Sequence, residues 1–162
     1  AKSHNPNYVV RLTSDCPLID PSLIDEIIEA TINSNVDYCS NTLIESYPDG
    51  QDVEVFSFIS LKKAWEESVL LSDREHVTPY MKKNFKVLNI HSNNMKFNKV
   101  RMTVDEPNDF VVIKRLVDKL GLNEKWENYT YLYLNDKTIS NTNNSITRNE
   151  GYIKSIKNDL IN

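Results

Sequence analysis

Hydrophobic positions along the chain fall into short apolar runs, separated by longer stretches in which they recur with helical spacing. Short runs rich in β-branched and aromatic residues predict strands. We place strands at residues 8–13, 36–40, 51–58, 85–90 and 100–104. In the third strand, valines alternate with Asp52 and Glu54, so both carboxylates should lie on one face.

Helical spacing is clearest after two prolines. Asp20 and Pro21 predict the N-cap and first residue of a helix. Its apolar face would consist of Leu23, Ile24, Ile27, Ile28 and Thr31. Pro107 starts the most regular helix, which should stop at Gly121. Its inward face would consist of Phe110, Ile113, Leu116, Val117 and Leu120.

The middle and the end of the chain give weaker helical patterns. Residues 61–71 predict a helix whose inward positions would be Leu61, Ala64, Trp65 and Val69. Ser72 or Asp73 can cap a further helix that runs through His76 and Tyr80, although Pro79 leaves its length open. Residues 130–134 predict a short helix, and residues 141–149 predict a loop.

The alternation of strands and helices predicts an α/β fold, a three-layer sandwich with a mostly parallel central sheet. A chain of 162 residues fits one domain, which we assign to residues 1–162. From residue 123 onward the composition turns to asparagine, threonine, lysine and tyrosine, and residues 136–162 are predicted to be a tail with weaker order.

Composition and charge exclude several classes of protein. The content of 40% hydrophobic and 26% charged residues is typical of a globular protein. The formal net charge of −4 argues against nucleic acid as a partner. No apolar run approaches the ~20 residues of a membrane span, so no membrane partner is expected. The amino terminus (AKSHNPNYVV) lacks the pattern of a signal peptide, which predicts a cytoplasmic protein.

Two carboxylates are the first candidates for chemistry. Asp15 and Asp105 each follow a predicted strand, and ligands of open α/β sheets bind outside the carboxyl ends of the strands. Together they would hold Mg²⁺, which favours one or two carboxylates plus substrate phosphates. The alternative is that both are loop or capping residues, since Asp105 lies close enough to Pro107 to cap its helix.

Two further groups of charged residues stand out. Asp49, Asp52 and Glu54 flank a turn, and Glu75 and His76 lie near a predicted helix start. Each group also fits a solvated surface or a capping role. The two cysteines match no metal-binding spacing, and a nucleophilic pair of Cys16 with His76 has no support in the spacing.

Five ordered segments resemble the cytidylyltransferases of the spore-coat polysaccharide biosynthesis type, relatives of the CMP-KDO and CMP-sialate synthetases. The segments are residues 10–21 (VRLTSDCPLIDP), 37–41 (DYCSN), 47–56 (YPDGQDVEVF), 74–80 (REHVTPY) and 103–110 (TVDEPNDF). They cover about the first three quarters of the chain. The resemblance implies the fold of nucleotide-diphospho-sugar transferases.

The resemblance also implies a reaction, the transfer of CMP from CTP to a sugar or sugar acid with release of pyrophosphate, for surface polysaccharide biosynthesis. Asp15 and Asp105 would be catalytic and hold Mg²⁺, and Arg11 and Ser14 would lie against the nucleotide. The residues implied for the sugar are Asp52, Glu54, Glu75 and His76.

Two departures from the family pattern affect this interpretation. Ser14 stands where the family usually has glycine, and the chain begins after the family's first strand and its phosphate-binding loop (SxRLPGK). The sequence therefore resembles the carboxy-terminal two thirds of a cytidylyltransferase domain, without the N-terminal strand unit. Such a chain would be nearly inactive alone and prone to self-association, most simply as a homodimer. A non-catalytic remnant and an enzyme for another base remain alternatives.

Overall fold

The structure, a computed structural model, describes residues 1–149 and 156–157. The strands are β1 (Tyr8–Arg11), β2 (Tyr38–Ser40), β3 (Glu54–Ser57) and β4 (Val87–Asn89). The helices are α1 (Pro21–Ser34), α2 (Phe58–Glu67), α3 (Leu71–His76), α4 (Pro79–Asn84), α5 (Pro107–Leu120), α6 (Trp126–Asn135) and α7 (Lys137–Ser140), with 3₁₀ turns at Lys2–His4 and Met95–Lys99. Within these residues, no helix combines the length and the apolar character that crossing a membrane requires.

The four strands form one mixed sheet in the order β1-β3-β2-β4. β3 is antiparallel to both of its neighbours, whereas β2 and β4 are parallel. Three of the four strands therefore run in one direction. β3 lies between β1 and β2, although β1 and β2 are consecutive along the chain. The α/β class is confirmed, and the sheet is more mixed than the alternation of strands and helices suggests.

Helices cover both faces of this sheet. On one face, Cys39 and Val55 pack in a core cluster with Leu23 and Ile27 of α1. Their neighbours in sequence point to the opposite face. There Tyr38 and Phe56 pack with Ala64 of α2 and Met81 of α4. A third cluster joins α5 to α6 and α7 through Val112, Leu116, Tyr129, Tyr133 and Ile139.

Both proline-started helices begin as predicted. The Asp20 side chain accepts a hydrogen bond from the Ser22 backbone N–H at 2.8 Å, and Pro21 is the first residue of α1. α5 begins at Pro107 and ends before Gly121, with a capping box formed by Glu106 and Asp109.

Residues 100–104 do not form a strand, contrary to the sequence prediction. They are extended but make a single parallel bridge, between Asp49 and Arg101. Their backbone instead bonds to two loops, with the Met102 N–H donating to the Asp49 carbonyl at 2.7 Å and the Val104 N–H to the Asp15 carbonyl at 2.8 Å. Loops at both sides leave no adjacent strand along which a ladder could continue.

Gly50 permits the close approach of the first loop. Its φ is +101°, and a Cβ atom built on it would lie 2.5 Å from the Met102 carbonyl carbon. Only glycine combines this backbone conformation with the absence of a side chain. The loop around Asp49 and the extended segment thus lie in direct backbone contact.

Three residues predicted to face inward are exposed. Trp65 is 67% exposed, with the Arg74 guanidinium stacked on its ring, and Val69 is 89% exposed because α2 ends at Glu67. Phe110 is 61% exposed. The other four predicted positions of α5 do face the core, and the ion pair of Asp109 with Arg101 draws Asp109 inward at the start of the helix, in place of Phe110.

The predicted helix through His76 and Tyr80 is two helices. α3 ends at His76, Val77 adopts a φ of +69°, and α4 begins at Pro79. The short helix predicted over residues 130–134 is part of the longer α6. The predicted tail contains α7 and buries Ile139. Residues 150–155 and 158–162 of that tail lie outside the described residues.

Candidate active site

A cleft of about 760 Å³ opens at the end of the sheet where β1 and β2 end and β3 begins. Four stretches of chain build most of its wall: the β1–α1 loop, the residues before and within β3, the start of α4 and the extended segment that ends at Asp105. The cleft brings together six of the eight residues selected from the sequence, namely Arg11, Asp15, Asp52, Glu54, His76 and Asp105.

The other two selected residues do not line the cleft. Ser14 is exposed beside Asp15 in the β1–α1 loop. The Glu75 side chain is 65% exposed and lies 3.8 Å from the His76 ring. Both therefore flank the cleft.

Asp15 and Asp105 meet at one wall of the cleft although they are far apart in sequence. The Asp15 carbonyl accepts a hydrogen bond from the N–H of Val104, which directly precedes Asp105. Asp15 is half-buried and its carboxylate contacts the Cys16 thiol at 3.6 Å, whereas the Asp105 side chain is 53% exposed. The structure thus places both carboxylates on one wall of the cleft, although Asp105 follows an extended segment and not a strand.

The donor set of this wall fits a hard divalent cation only together with a ligand. Within residues 1–149 and 156–157, no group of three or more histidine, cysteine or acidic side chains is arranged to hold a metal. Mg²⁺ is usually bound by one or two carboxylates and completes its octahedron with water and substrate phosphates. Asp15 and Asp105 match that pattern.

Arg101 joins Asp105 to two deeper carboxylates in what we call the Arg101 cluster (Arg101, Asp49, Asp105 and Asp109). Its guanidinium, only 8% exposed, bonds to Asp49 at 2.8 Å, to Asp105 at 2.8 Å and to both oxygens of Asp109 at 2.9 Å. The Asn143 amide donates to Asp109 at 2.8 Å, which ties the residues after α7 to the cluster. Arg101 thereby fixes the direction of the Asp105 carboxylate.

The two deeper carboxylates have opposite pKa shifts. Burial raises the pKa of Asp49 to about 6, although Arg148 and Arg101 oppose the shift. Burial also acts on Asp109, but hydrogen bonds from Arg101 and Asn143 outweigh it and lower the pKa of that carboxyl below its usual range. Asp109 is therefore the permanent anion of the cluster, and Asp49 is the member that gains a proton most easily.

A second group, the Glu54 cluster (Glu54, Arg11, Lys82, Tyr38 and Thr78), has a carboxylate at its centre. Glu54 accepts hydrogen bonds from Tyr38 at 2.5 Å and Thr78 at 2.7 Å, and forms ion pairs with Arg11 and, at 3.0 Å, with Lys82. Burial raises its pKa, but the two cations and the hydroxyl donors outweigh burial and lower it. Glu54 therefore stays ionised and holds two cations at the cleft.

A fourth cationic side chain, Arg148, enters the cleft from the carboxy-terminal side. The Arg148 side chain, 12% exposed, donates to Asp52 at 2.7 Å and to the Tyr47 carbonyl at 3.2 Å. Its Nε lies 3.5 Å from Asp49 and 3.6 Å from Glu45. Burial raises the pKa of Asp52, and Arg148 opposes that shift. Arg148 thus supplies much of the positive charge that compensates the half-buried Asp52 carboxylate.

Cys16 lines the cleft as well, but not as a nucleophile. Its thiol contacts Thr13 at 3.2 Å, and burial raises its pKa to about 12. A thiol at this pKa stays protonated at neutral pH, whereas nucleophilic attack needs the thiolate. The structure gives the hypothetical pair with His76 no activated sulfur.

Sequence analysis missed Arg101, Lys82 and Arg148. Arg101 had one signal, a charged side chain inside the apolar run 100–104 and four residues before Asp105. Lys82 and Arg148 had none, because their partners Glu54 and Asp52 are distant in sequence. Only the folded arrangement reveals these ion pairs.

The cleft lies at one end of an open α/β sheet, which is where ligands of such folds generally bind. The family model "Cytidylyltransferase" matches residues 1–143, and the chain belongs to this family. The resemblance noted in the sequence is thereby confirmed.

Two relatives and one solved structure are similar to this chain. Protein MJ1063 of Methanocaldococcus jannaschii, which is uncharacterized, is 33% identical over 146 aligned residues. The alignment covers 79% of this chain and 59% of the relative. The spore coat polysaccharide biosynthesis protein SpsF of Bacillus subtilis is 30% identical over 125 residues, with coverages of 72% and 49%. The structure of a cytidylyltransferase from Leptospira borgpetersenii matches with a TM-score of 0.82 and 25% identity, over 91% of this chain and 63% of that one.

The chain thus spans between about half and three fifths of the length of the curated relatives that it matches.

Proposed function

We propose that the protein transfers CMP from CTP to a sugar or sugar acid, with release of pyrophosphate, in surface polysaccharide biosynthesis. The observation that carries the proposal is the meeting of Asp15 and Asp105 on one wall of a cleft that also holds Arg11 and Lys82. The SpsF relative is a spore coat polysaccharide biosynthesis protein, which supports the polysaccharide context.

The proposed chemistry is an in-line displacement at the α-phosphorus of CTP. The oxygen of an acceptor hydroxyl forms a bond to the α-phosphorus and gives up its proton to solvent, the bond from that phosphorus to the α–β bridging oxygen breaks, and pyrophosphate leaves. Aligning the attacking oxygen and compensating the phosphate charge are the main catalytic requirements. Mg²⁺, when bound, would supply Lewis-acid charge compensation and a template for the phosphates.

In this proposal the residues of the chain divide the work by their charge. Asp15 and Asp105 hold the cation, and Arg101 orients Asp105. Arg11 and Lys82, held by Glu54, offer positive charge to an anionic part of the ligands. These assignments rest on the side-chain contacts described above.

Asp52 and His76 line the same cleft and are proposed to contact acceptor hydroxyls. Glu54 contributes indirectly, because its carboxylate is already engaged by four protein groups. Ser14 and Glu75 flank the cleft and would act only at its margin.

The first experiment measures pyrophosphate release by the complete product of the gene, with CTP, UTP, ATP or GTP, a panel of sugars and sugar acids, and either MgCl₂ or EDTA. We expect release with CTP and at least one acceptor, and none in EDTA. Release with UTP alone would assign another base. Absence of release with every combination would favour the non-catalytic alternative.

The second experiment tests the metal site. Asp15→Asn and Asp105→Asn should each abolish CMP transfer and weaken Mn²⁺ binding followed by electron paramagnetic resonance, because both changes remove a carboxylate ligand. Thermal unfolding should change little, since neither side chain is deeply buried. Asp118→Asn removes an exposed carboxylate on α5 and serves as the matched control. An active Asp15→Asn variant would overturn the assignment.

A further inference from the structure

Arg148 occupies an unusual place in the cleft. It lies beyond residues 1–143, which the family model matches, yet it lines the cleft together with Ile146, Thr147 and Asn149. The segment is held at its end by Asn149, whose amide donates to the Glu45 carboxylate at 2.7 Å. A part of the chain outside the family match therefore completes the wall that carries Asp52.

The contacts of Arg148 show a directional preference. Its terminal nitrogens donate hydrogen bonds to Asp52 and to the Tyr47 carbonyl, whereas Nε only approaches Asp49 and Glu45. Nε is buried and makes no hydrogen bond within the described residues. The hydrogen bond at 2.7 Å thus makes Asp52 the group whose orientation depends most on this arginine.

Asp52 still has room for a second partner. Its side chain is 29% exposed and lines the cleft, while the Arg148 bond uses one carboxylate oxygen, Oδ1. An ionised carboxylate held in place on one side can accept a hydrogen bond from a hydroxyl on the other. This arrangement suits an acceptor hydroxyl better than a phosphate, which the Asp52 carboxylate would repel.

Resting on the proposed function, we propose that Arg148 is a positioning residue for the acceptor, which it serves by holding Asp52 in the orientation that binds an acceptor hydroxyl. Arg148 itself contacts neither the nucleotide nor the reacting atoms. Its effect should therefore appear in acceptor binding, and only through Asp52.

The test is a double-mutant cycle on the complete gene product, with Arg148→Gln, Asp52→Asn and the double variant. Arg148→Gln should raise the KM for the acceptor about tenfold, the size expected for one lost charge-assisted hydrogen bond. The KM for CTP should change less than about twofold, because Arg148 acts through Asp52 on the acceptor alone. A general loss of folding would instead raise the KM for both substrates. In the Asp52→Asn background, Arg148→Gln should add nothing.

Two further variants separate positioning from folding. Arg148→Lys keeps the charge and should restore most of the acceptor affinity. Arg115→Gln removes an arginine that bonds to the Thr138 carbonyl near α7, outside the cleft, and should leave both KM values unchanged. If Arg148→Gln is too unstable to assay, Arg148→Lys paired with Asp52→Asn gives the same cycle at smaller amplitude.

The outcomes distinguish this inference from the proposed function. An inactive wild-type protein would overturn both. An active wild-type protein whose Arg148→Gln variant raises the KM for CTP instead, or raises the acceptor KM equally in the Asp52→Asn background, would overturn the inference alone. An acceptor KM that does not move would also overturn it.

Discussion

The cleft is charged in opposite senses at two places. In the Arg101 cluster one buried guanidinium faces three carboxylates, whereas in the Glu54 cluster one buried carboxylate faces two cations and two hydroxyls. In both, the central group is almost fully buried and the excess charge lies on partly exposed partners. Asp105 is 53% exposed, and Arg11 and Lys82 are each 32% exposed.

This difference teaches where ligands of each sign would bind. The Arg101 cluster presents surplus negative charge at Asp105, next to Asp15, which suits a cation. The Glu54 cluster presents surplus positive charge, which suits an anion. A reaction between a metal-bound triphosphate and a second substrate needs both surfaces within one cleft.

The comparison predicts its largest effect at Arg101. Arg101→Gln should destabilise the protein by about 3–5 kcal/mol, because it leaves Asp109 buried without its cation and leaves Asp49 with only Arg148 nearby. Urea unfolding at pH 7 measures the change. Lys82→Gln, which removes a partly exposed cation from the other cluster, should cost about 1 kcal/mol or less. Equal losses of stability in the two variants would contradict the contrast between a buried central cation, Arg101, and a partly exposed peripheral cation, Lys82.

A smaller loss is expected at the centre of the other cluster. Glu54→Gln should destabilise by about 1–3 kcal/mol, because the Tyr38 and Thr78 hydroxyls can still donate to the amide oxygen while Arg11 and Lys82 lose their counter-ion. The same urea titration provides the measurement. Glu66→Gln, in an exposed pair with Lys62, is the control. A Glu54→Gln variant with an unchanged free energy of unfolding would mean that water already compensates the charges of Arg11 and Lys82.

Asp49 should give the Arg101 cluster a distinctive pH dependence. Its folded-state pKa, about 6, lies above its ordinary value of 3.8, so the folded state binds the extra proton between these values. The contribution of Asp49 to stability is complete below pH 4 and is lost as the pH rises through 6. Asp49→Asn removes this pH dependence, which is on the order of 1 kcal/mol for each pH unit between the two pKa values.

The measurement is the free energy of unfolding of wild type and Asp49→Asn at several pH values from 4 to 7. The difference between the two proteins isolates Asp49 from Glu54 and Asp109, whose lowered pKa values place their effects at lower pH. We expect the stability of the wild type to decline more than that of the variant as the pH rises. The opposite slope would contradict the raised pKa.

The smallest effect sets the baseline for an ordinary surface pair. Lys114 and Asp118 form an exposed ion pair one turn apart on α5, and neither side chain lines the cleft. Lys114→Gln should change stability by less than about 0.5 kcal/mol and leave pyrophosphate release unchanged. A larger loss would show that charge on α5 matters irrespective of burial, and would weaken the contrast between the two clusters.

Local sequence patterns predict the helices that carry their own start signals. Pro21 and Pro107 begin helices as predicted, because the caps Asp20 and Glu106 act within a few residues. The inward face of α5 was wrong at Phe110. The ion pair with Arg101 buries Asp109 in place of Phe110, and spacing alone does not reveal such a pair.

The candidate site likewise contains residues that local sequence identifies and contacts that it does not. The segments around Asp15 and Asp105 are recognisable in sequence, and the cleft unites them. Which charges are paired is not readable from spacing, because Glu54 finds Lys82, and Asp52 finds Arg148, across long separations. Strand order is a similar case: β3 pairs with both β1 and β2, which local pattern does not determine.

Gly50 has a consequence for how this protein can vary. A single added carbon at this position would meet the Met102 backbone and push apart the two stretches that carry Asp49 and Asp105. At Gly121, by contrast, an added Cβ would meet nothing within 4 Å. In a saturation library selected for function, position 50 should reject even alanine, because a side chain there meets both a steric clash and an unfavourable backbone conformation. Position 121, with φ 85° and ψ −175°, is constrained by its backbone conformation alone, at a cost of about 1–3 kcal/mol for other residues. The absence of a side chain at Gly50 thus limits which sequences can form this cleft.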